Sequence, residues 1–101
     1  MGKIYFMLVQ HEGNDKKARF FIEDAGQRIA VMEYVYAGTD KFIIEHTEVN
    51  ETHEGKGLGK LLVQAAVEYA REHNMKIIPL CPYANALFKR TPEYSDVKFG
   101  A

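Results

Sequence analysis

The sequence has little of three features that would each point to a class of protein. It contains one cysteine, Cys81, which excludes an internal disulfide framework and predicts a reducing, cytoplasmic setting. It has no basic surplus, since 13 Lys and Arg stand against 14 Asp and Glu, so nucleic acid is not an expected partner. No apolar run approaches the roughly 20 residues that span a bilayer, so no membrane association is expected.

Metal-binding patterns are also scarce. A single thiol excludes zinc sites that need several thiolates, and the four histidines lack the tight spacing of a ligand set. The sequence therefore predicts no metal site.

The composition is typical of a folded, globular chain. Hydrophobic residues make up 47% and charged residues 27% of 101 residues, which predicts a single domain over residues 1–101. Four apolar segments separated by turn residues predict an antiparallel meander of strands. These strands are expected at residues 4–9, 19–23, 27–36 and 41–49, with a turn at residues 11–15 after the first.

The hydrophobic period changes after the fourth strand. An amphipathic helix is predicted from Leu58 to about residues 73–74, where Asn74 is a plausible left-handed stop. Its apolar face repeats at helical spacing and consists of Leu58, Leu61, Leu62, Ala65, Ala66, Tyr69 and Ala70. A short strand at residues 75–80 follows, with Pro79 favouring an edge position or the strand's end, and then a helix at residues 83–90 before Pro92. The predicted class is α+β, with a largely antiparallel sheet and the order ββββ-helix-β-helix.

A glycine-rich turn at residues 54–59 joins the fourth strand to the long helix. Gly55, Gly57 and Gly59 lie where a helix begins, and such a start offers unpaired N–H groups and partial positive charge to a pyrophosphate. The nucleotide P-loop is excluded because no Ser or Thr follows Lys60, and the Rossmann spacing does not match either. The turn is therefore either a phosphate site or a loop that lets the helix pack closely on a strand.

This order of elements, with the turn opening the long helix, resembles the GNAT superfamily of N-acetyltransferases. The superfamily signature is Gln/Arg-x-x-Gly-x-Gly/Ala; Gly57 and Gly59 match it, whereas Glu54 stands where Gln or Arg is usual. Glu54 is accordingly expected to point away from the phosphates or to cap the helix. Two further blocks are similar to a branch of short GNAT-like domains: Pro-Leu-Cys-Pro-Tyr-Ala at residues 79–84 and Pro-Glu-Tyr-Ser-Asp-Val at residues 92–97.

The resemblance implies an enzyme that moves the acetyl group of acetyl-CoA to an amine, either a small molecule or a protein. It also implies a sheet whose fourth and fifth strands splay apart around the CoA arm. The phosphates would be held by backbone amides of Gly55, Lys56, Gly57, Leu58, Gly59 and Lys60. The arm would contact Thr47, Glu48 and Val49, while Asn85 either contacts the cofactor or only caps its helix.

The candidate catalytic residues are Cys81, His46 and Tyr83. Direct attack by a neutral amine would need a backbone amide near Val49 for the developing oxyanion and a base such as His46. Unless a bulge intervenes, Glu45 and Thr47 share one strand face, and His46 and Glu48 share the other. Cys81 forms an acetyl-thioester, lines the pocket, or is only a small buried hydrophobic residue.

The proton donor for the departing thiolate is open. Many superfamily members have, at the position of Phe88, a tyrosine that protonates the thiolate as a general acid. Since Phe88 has no hydroxyl, the acid here is Tyr83, Tyr94, solvent or none. Two other functions remain open: a module that binds CoA or senses acetyl-CoA with little turnover, and an interaction adaptor without cofactor. The sequence does not choose an acceptor or an oligomeric state.

Overall fold

A computed structural model describes residues 8–100 of the chain. Two helices and five strands make up the fold: β1 Val9–Gly13, β2 Lys17–Asp24, β3 Gln27–Tyr36, β4 Lys41–Val49, α1 Leu58–Glu72, β5 Lys76–Pro79 and α2 Pro82–Arg90. Short 3-10 turns lie at Glu51–His53 and Pro92–Tyr94. The bounds of β3 and β4 agree with the predicted strands, and α1 begins at the predicted Leu58.

The strands form one sheet in the order β1-β2-β3-β4-β5. The first four strands pair antiparallel, as their short connections require, and β5 pairs parallel to β4 because α1 carries the chain back across the sheet. The predicted α+β class, the largely antiparallel sheet and the order of elements are confirmed. Pro79 is the last residue of β5, which is an edge strand, as predicted.

The turn predicted at residues 11–15 was wrong over its first three residues. Residues 4–7 lie outside the described residues, but residues 11–13, predicted as a turn, belong to β1 and pair with β2. The strand is stabilised by distant partners, since the ring of His11 stacks on Phe20 with centroids 4.1 Å apart. The turn itself comes later, where the Asn14 side chain accepts hydrogen bonds from the amides of Lys16 and Lys17.

The buried face of α1 is broader than predicted. Leu58, Leu62, Ala66 and Ala70 are buried as expected, whereas Leu61, Ala65 and Tyr69 are only partly buried. Val63 and Val67, which the predicted face omitted, are 0% and 1% exposed. The face is broad because α1 contacts the C-terminal segment as well as the sheet: Val67 and Tyr94 line one cavity. Asn74 ends the helix region with φ of 55°, the predicted left-handed stop.

The segment after α2 is clamped to α1 and β5. Arg71 donates two hydrogen bonds to the carboxylate of Asp96, at 2.9 and 3.0 Å, and a third to the carbonyl of Glu93. Hydrogen bonding to Arg71 lowers the pKa of Asp96. The backbone of Ile77 bonds Val97 and Phe99, so this segment covers the outer edge of β5. Within residues 8–100 no helix has the length and apolar character needed to cross a membrane.

A hydrogen-bonded aromatic cluster joins β1, β3 and the C-terminal half of α1. The hydroxyl of Tyr34, a 0% exposed residue, bonds His11 Nε2 at 2.5 Å and the Tyr36 hydroxyl at 3.2 Å. Tyr36 bonds Tyr69 at 2.7 Å. Burial raises the pKa of Tyr69 to about 12 and also raises that of Tyr34, so these phenols stay neutral and satisfy one another.

The His11 ring makes stability depend on pH. Burial lowers its pKa from 6.5, and His73 lowers it further; Tyr34 and Tyr69 are the other titratable groups that face it. Because the folded state binds this proton less readily, the contribution of His11 to the free energy of unfolding is fully present above about pH 6.5 and is lost as the pH falls through the lowered pKa.

We expect His11→Phe, which keeps the stacking, to flatten the rise of Tm with pH between about pH 5 and pH 7.5. An unchanged pH dependence of Tm in this variant would contradict the assignment.

Candidate functional site

A pocket of about 470 Å³ lies at the N-terminal end of α1. It is lined by the end of β4, the glycine turn and the start of α2: Thr47, Val49, His53, Glu54, Gly55, Gly57, Leu58, Gly59 and Tyr83. The glycine turn and the end of β4 therefore line one concave surface.

The pocket opens where β4 and β5 stop pairing. The last paired residues are Ile44 and Pro79, after which the amide of Cys81 donates to the carbonyl of Ile44 at 2.9 Å. β4 then continues from Glu45 to Val49, and among residues 8–100 no strand pairs with that stretch on the β5 side. The edge of β4 consequently offers backbone groups to an extended ligand.

A β-bulge in β4 decides which side chains face the pocket. Tyr34 pairs with Ile44 and Glu33 pairs with His46, so Glu45 is an extra residue without a partner on β3. After the bulge, Thr47 pairs with the buried Met32 and lies on the core face. The exposed Glu45 is thereby separated from Thr47, with which simple alternation had grouped it.

His46 and Glu48 lie together on the opposite face of the sheet. They pair with Glu33 and Val31, both side chains are exposed, and His46 Nε2 lies 3.2 Å from a Glu48 carboxylate oxygen. The prediction that they share a face is confirmed. Neither side chain lines the pocket, so the structure does not bring His46 to the same side as the glycine turn.

The turn before α1 leaves a run of backbone amides without acceptors. Gly55 and Gly57 have φ of 82° and 78°, which L side chains rarely adopt, and Gly57 supplies no side chain to cap the helix. The first bond of the helix is Leu61 N–H to the Gly57 carbonyl. In the part of the chain that the structure describes, no amide from Gly55 to Lys60 donates to a protein acceptor.

A glycine is needed at position 59 for a different reason from those at positions 55 and 57. Its φ is not positive, but a Cβ there would lie 2.8 Å from the Tyr83 hydroxyl oxygen and 2.9 Å from Cζ of the same ring. At Gly55 and Gly57 nothing lies within 4 Å of such a Cβ, which would instead point into open space. The first two glycines allow the backbone shape, and the third allows the α2 aromatic ring to pack on α1.

The charged lining of the pocket was not anticipated. Glu54 is among the lining residues and does not cap α1, so of the two positions expected for its carboxylate the helix cap is excluded. His53 also lines the pocket; its Nε2 lies 3.6 Å from an Asp24 carboxylate oxygen and its Nδ1 lies 2.9 Å from the Thr52 hydroxyl. Because Asp24 is remote from His53 in sequence, no local pattern indicated this contact. Lys56 and Lys60 are exposed beside the turn.

Cys81 lies behind the pocket wall. Its side chain is 4% exposed, and the thiol donates to the Thr47 hydroxyl at a sulfur–oxygen distance of 3.4 Å. Thr47 lines the pocket and Cys81 does not. Thr47 therefore lies between the thiol and the pocket.

Other predicted residues on α2 lie outside the pocket. Asn85 is half-buried, does not line it, and donates its backbone N–H to the Cys81 carbonyl. Phe88 is 5% exposed and packs on Tyr94 with ring centroids 5.4 Å apart. Among residues 8–100, no group of three or more His, Cys, Asp or Glu side chains could hold a metal ion.

Comparison with known proteins identifies the family. The sequence model of the family described as GCN5-related N-acetyl-transferase matches residues 19–97. Protein NATD1 of Gallus gallus is 31% identical over 85 residues, covering 83% of this chain and 77% of that protein. Protein NATD1 of Danio rerio is 32% identical over 87 residues, covering 85% and 77%.

Solved structures share the fold of this chain. A candidate GCN5-like N-acetyltransferase from Staphylococcus aureus has a TM-score of 0.73 and 32% identity, over 94% of this chain and 90% of that chain. A ribosomal-protein-alanine N-acetyltransferase from Brucella melitensis shares the fold, with a TM-score of 0.65 at 17% identity over 76% and 62% of the two chains. The chain belongs to the GCN5-related N-acetyltransferase (GNAT) family, the family that the sequence resembled at its glycine turn.

Proposed function

We propose that this protein transfers an acetyl group from acetyl-CoA to an amine. The observation that carries the proposal is the run of amides from Gly55 to Lys60, which find no protein acceptor within residues 8–100. They lie beside a pocket that Thr47 and Val49 also line. N–H groups at a helix start favour a pyrophosphate. The unpaired edge of β4 offers backbone partners to a pantetheine arm.

The residues present fit this co-substrate. A Cβ at Gly55 or Gly57 would meet no atom within 4 Å, and a glycine at each position keeps that space free for a ligand that approaches the backbone. Lys56 within the turn and Lys60 just after it are exposed and add positive charge. The negative charge of Glu54 repels an anionic ligand, which predicts weaker binding of CoA than a neutral residue at this position would allow.

The chain's own groups account for the chemistry in outline. When bound, acetyl-CoA supplies an acetyl group activated as a thioester. A backbone N–H of β4 near Val49 would stabilise the negative charge that develops on the carbonyl oxygen. Because His46 and Glu48 lie on the solvent face of the sheet, they can accept a proton only from an amine that approaches β4 from that face. The acceptor is a small amine or an exposed amine of a protein.

A second candidate is a module that binds CoA with little turnover. Two observations favour it: Phe88 carries no hydroxyl and is packed in the core, and Glu54 lines the pocket. Measured transfer to members of an amine panel separates this candidate from the enzyme. Hydrolysis of acetyl-CoA without an acceptor does not separate them.

The glycine turn is tested by a pair of variants with equal backbone strain. Gly57 and Gly38 both have φ of 78°, but Gly38 lies in the β3–β4 turn outside the pocket. Alanine at either position is expected to destabilise the fold by about 1 kcal/mol. We expect Gly57→Ala, and not Gly38→Ala, to weaken CoA binding at least tenfold by calorimetric titration, since its Cβ enters the phosphate space.

Equal CoA affinity in the two folded variants would overturn the phosphate site. If the wild-type protein binds neither CoA nor acetyl-CoA, the acetyltransferase proposal fails and a cofactor-free adaptor remains.

Cys81 is expected to act through Thr47. Cys81→Ala removes the thiol donor and should lower the transfer rate about tenfold, with CoA affinity unchanged because the thiol does not line the pocket. Cys81→Ser keeps a donor at the same place and should retain most of the rate. Loss of transfer in both variants would instead indicate a nucleophilic thiol, and full activity of Cys81→Ala would reduce Cys81 to core packing.

A further inference from the structure

Tyr83 is the residue of α2 that reaches the glycine turn. Its side chain lines the pocket, is 40% exposed, and belongs to the first turn of α2. The sequence suggested it as a general acid for the chemical step. Its position supports another role.

The Tyr83 hydroxyl lies against the start of α1. The 2.8 Å separation between that oxygen and a Cβ built on Gly59 shows that the ring end rests directly on the first turn of the helix. The amides of Leu58, Gly59 and Lys60 belong to this same turn. The hydroxyl is therefore beside the amides that would hold the phosphates.

The hydroxyl is available as a donor. Within residues 8–100 it makes no hydrogen bond to a protein group, in contrast to the bonded hydroxyls of Tyr34, Tyr36 and Tyr69. Burial raises the pKa of Tyr83, so the phenol keeps its proton near neutral pH. A neutral hydroxyl beside an anion donates a strong hydrogen bond.

We infer that the Tyr83 hydroxyl is an additional ligand of the CoA pyrophosphate, which it would contact together with the backbone amides of the first turn of α1. The inference rests on the proposed binding of CoA. It assigns Tyr83 to affinity for the diphosphate and removes it from proton transfer in the chemical step. It also gives Gly59 a function, since the glycine lets the phenol reach the helix start.

The inference predicts a loss confined to ligands that carry the diphosphate. A hydrogen bond to a charged group is worth about 1.5–3 kcal/mol, so Tyr83→Phe should weaken CoA binding by about tenfold or more. Dephospho-CoA, which lacks the 3′-phosphate but keeps the diphosphate, should show the same loss. Pantetheine, which lacks the diphosphate, should bind both proteins equally.

The experiment is calorimetric titration of wild type, Tyr83→Phe and a matched Tyr94→Phe variant with these three ligands. Tyr94 is 7% exposed, does not line the pocket, and loses the same hydroxyl in the control, so its CoA affinity should not change. Equal CoA affinity in Tyr83→Phe and wild type would overturn the inference alone. An equal loss for pantetheine would move the contact to the arm and also overturn it.

Two further results have defined meanings. A Tyr83→Phe protein with wild-type CoA affinity but a reduced transfer rate would restore the acid role and refute the inference. If wild type binds no CoA, the proposed function fails first, and the inference falls with it. As an independent check, Gly59→Ala should displace the Tyr83 ring and reproduce the loss for dephospho-CoA; retained affinity there would count against the contact.

Discussion

The absence of an N-terminal cap on α1 is the constraint around which the site is arranged. Most helices begin with a side chain that accepts one of the unpaired amides, and losing such a cap costs about 1 kcal/mol. Here Gly57 occupies the cap position with a left-handed backbone and no side chain. The helix starts nonetheless because Leu58 and Leu62, at 1% and 0% exposure, fix it to the core. Packing therefore stabilises a helix start whose polar groups stay open to the pocket.

The other end of α1 fixes the geometry of that pocket. The left-handed Asn74 ends the helix region, Met75 donates its amide to the Ala70 carbonyl, and β5 begins one residue later. Arg71 holds Asp96, so the C-terminal segment is tied to the same helix turn. Since this segment bonds the outer edge of β5 and β4 pairs with the inner edge, β5 is held on both sides. A short strand held on both sides keeps the opening beyond Ile44 and Pro79 in place.

Strong local periodicity explains which parts of the fold could be predicted from the sequence. The strands β3 and β4 and the helix α1 each repeat their apolar residues at one period over many residues, which constrains their bounds. β1 does not: His11, Glu12 and Gly13 look like turn residues, and they form a strand because of Phe20, Tyr34 and the arginines of β2 and β3. Those partners are distant in sequence and leave no local pattern.

The candidate site shows the same division. The glycine turn and Thr47, which line the same pocket, could be predicted from the motif and from the position of Thr47 in β4. The bulge at Glu45 depends on pairing with β3, so side-chain alternation alone misjudged which residues share a face with Thr47. His53, which lines the pocket, contacts Asp24, the last residue of β2 and remote in sequence. Neither relation is visible until the sheet is assembled.

The aromatic residues of α2 bear on how the chemical step is completed. Phe88 is packed on Tyr94 in the core, and the Tyr83 hydroxyl lies beside Gly59 at the start of α1. These positions do not favour a phenol as the acid. The absence of a phenol as general acid slows the chemical step only slightly. Thiols have an ordinary pKa of about 8.5, so a thiolate is a tolerable leaving group near neutral pH. A site that positions its reactants and leaves reprotonation to solvent is consistent with this arrangement, and it places the chief demand on the amides that α1 leaves uncapped.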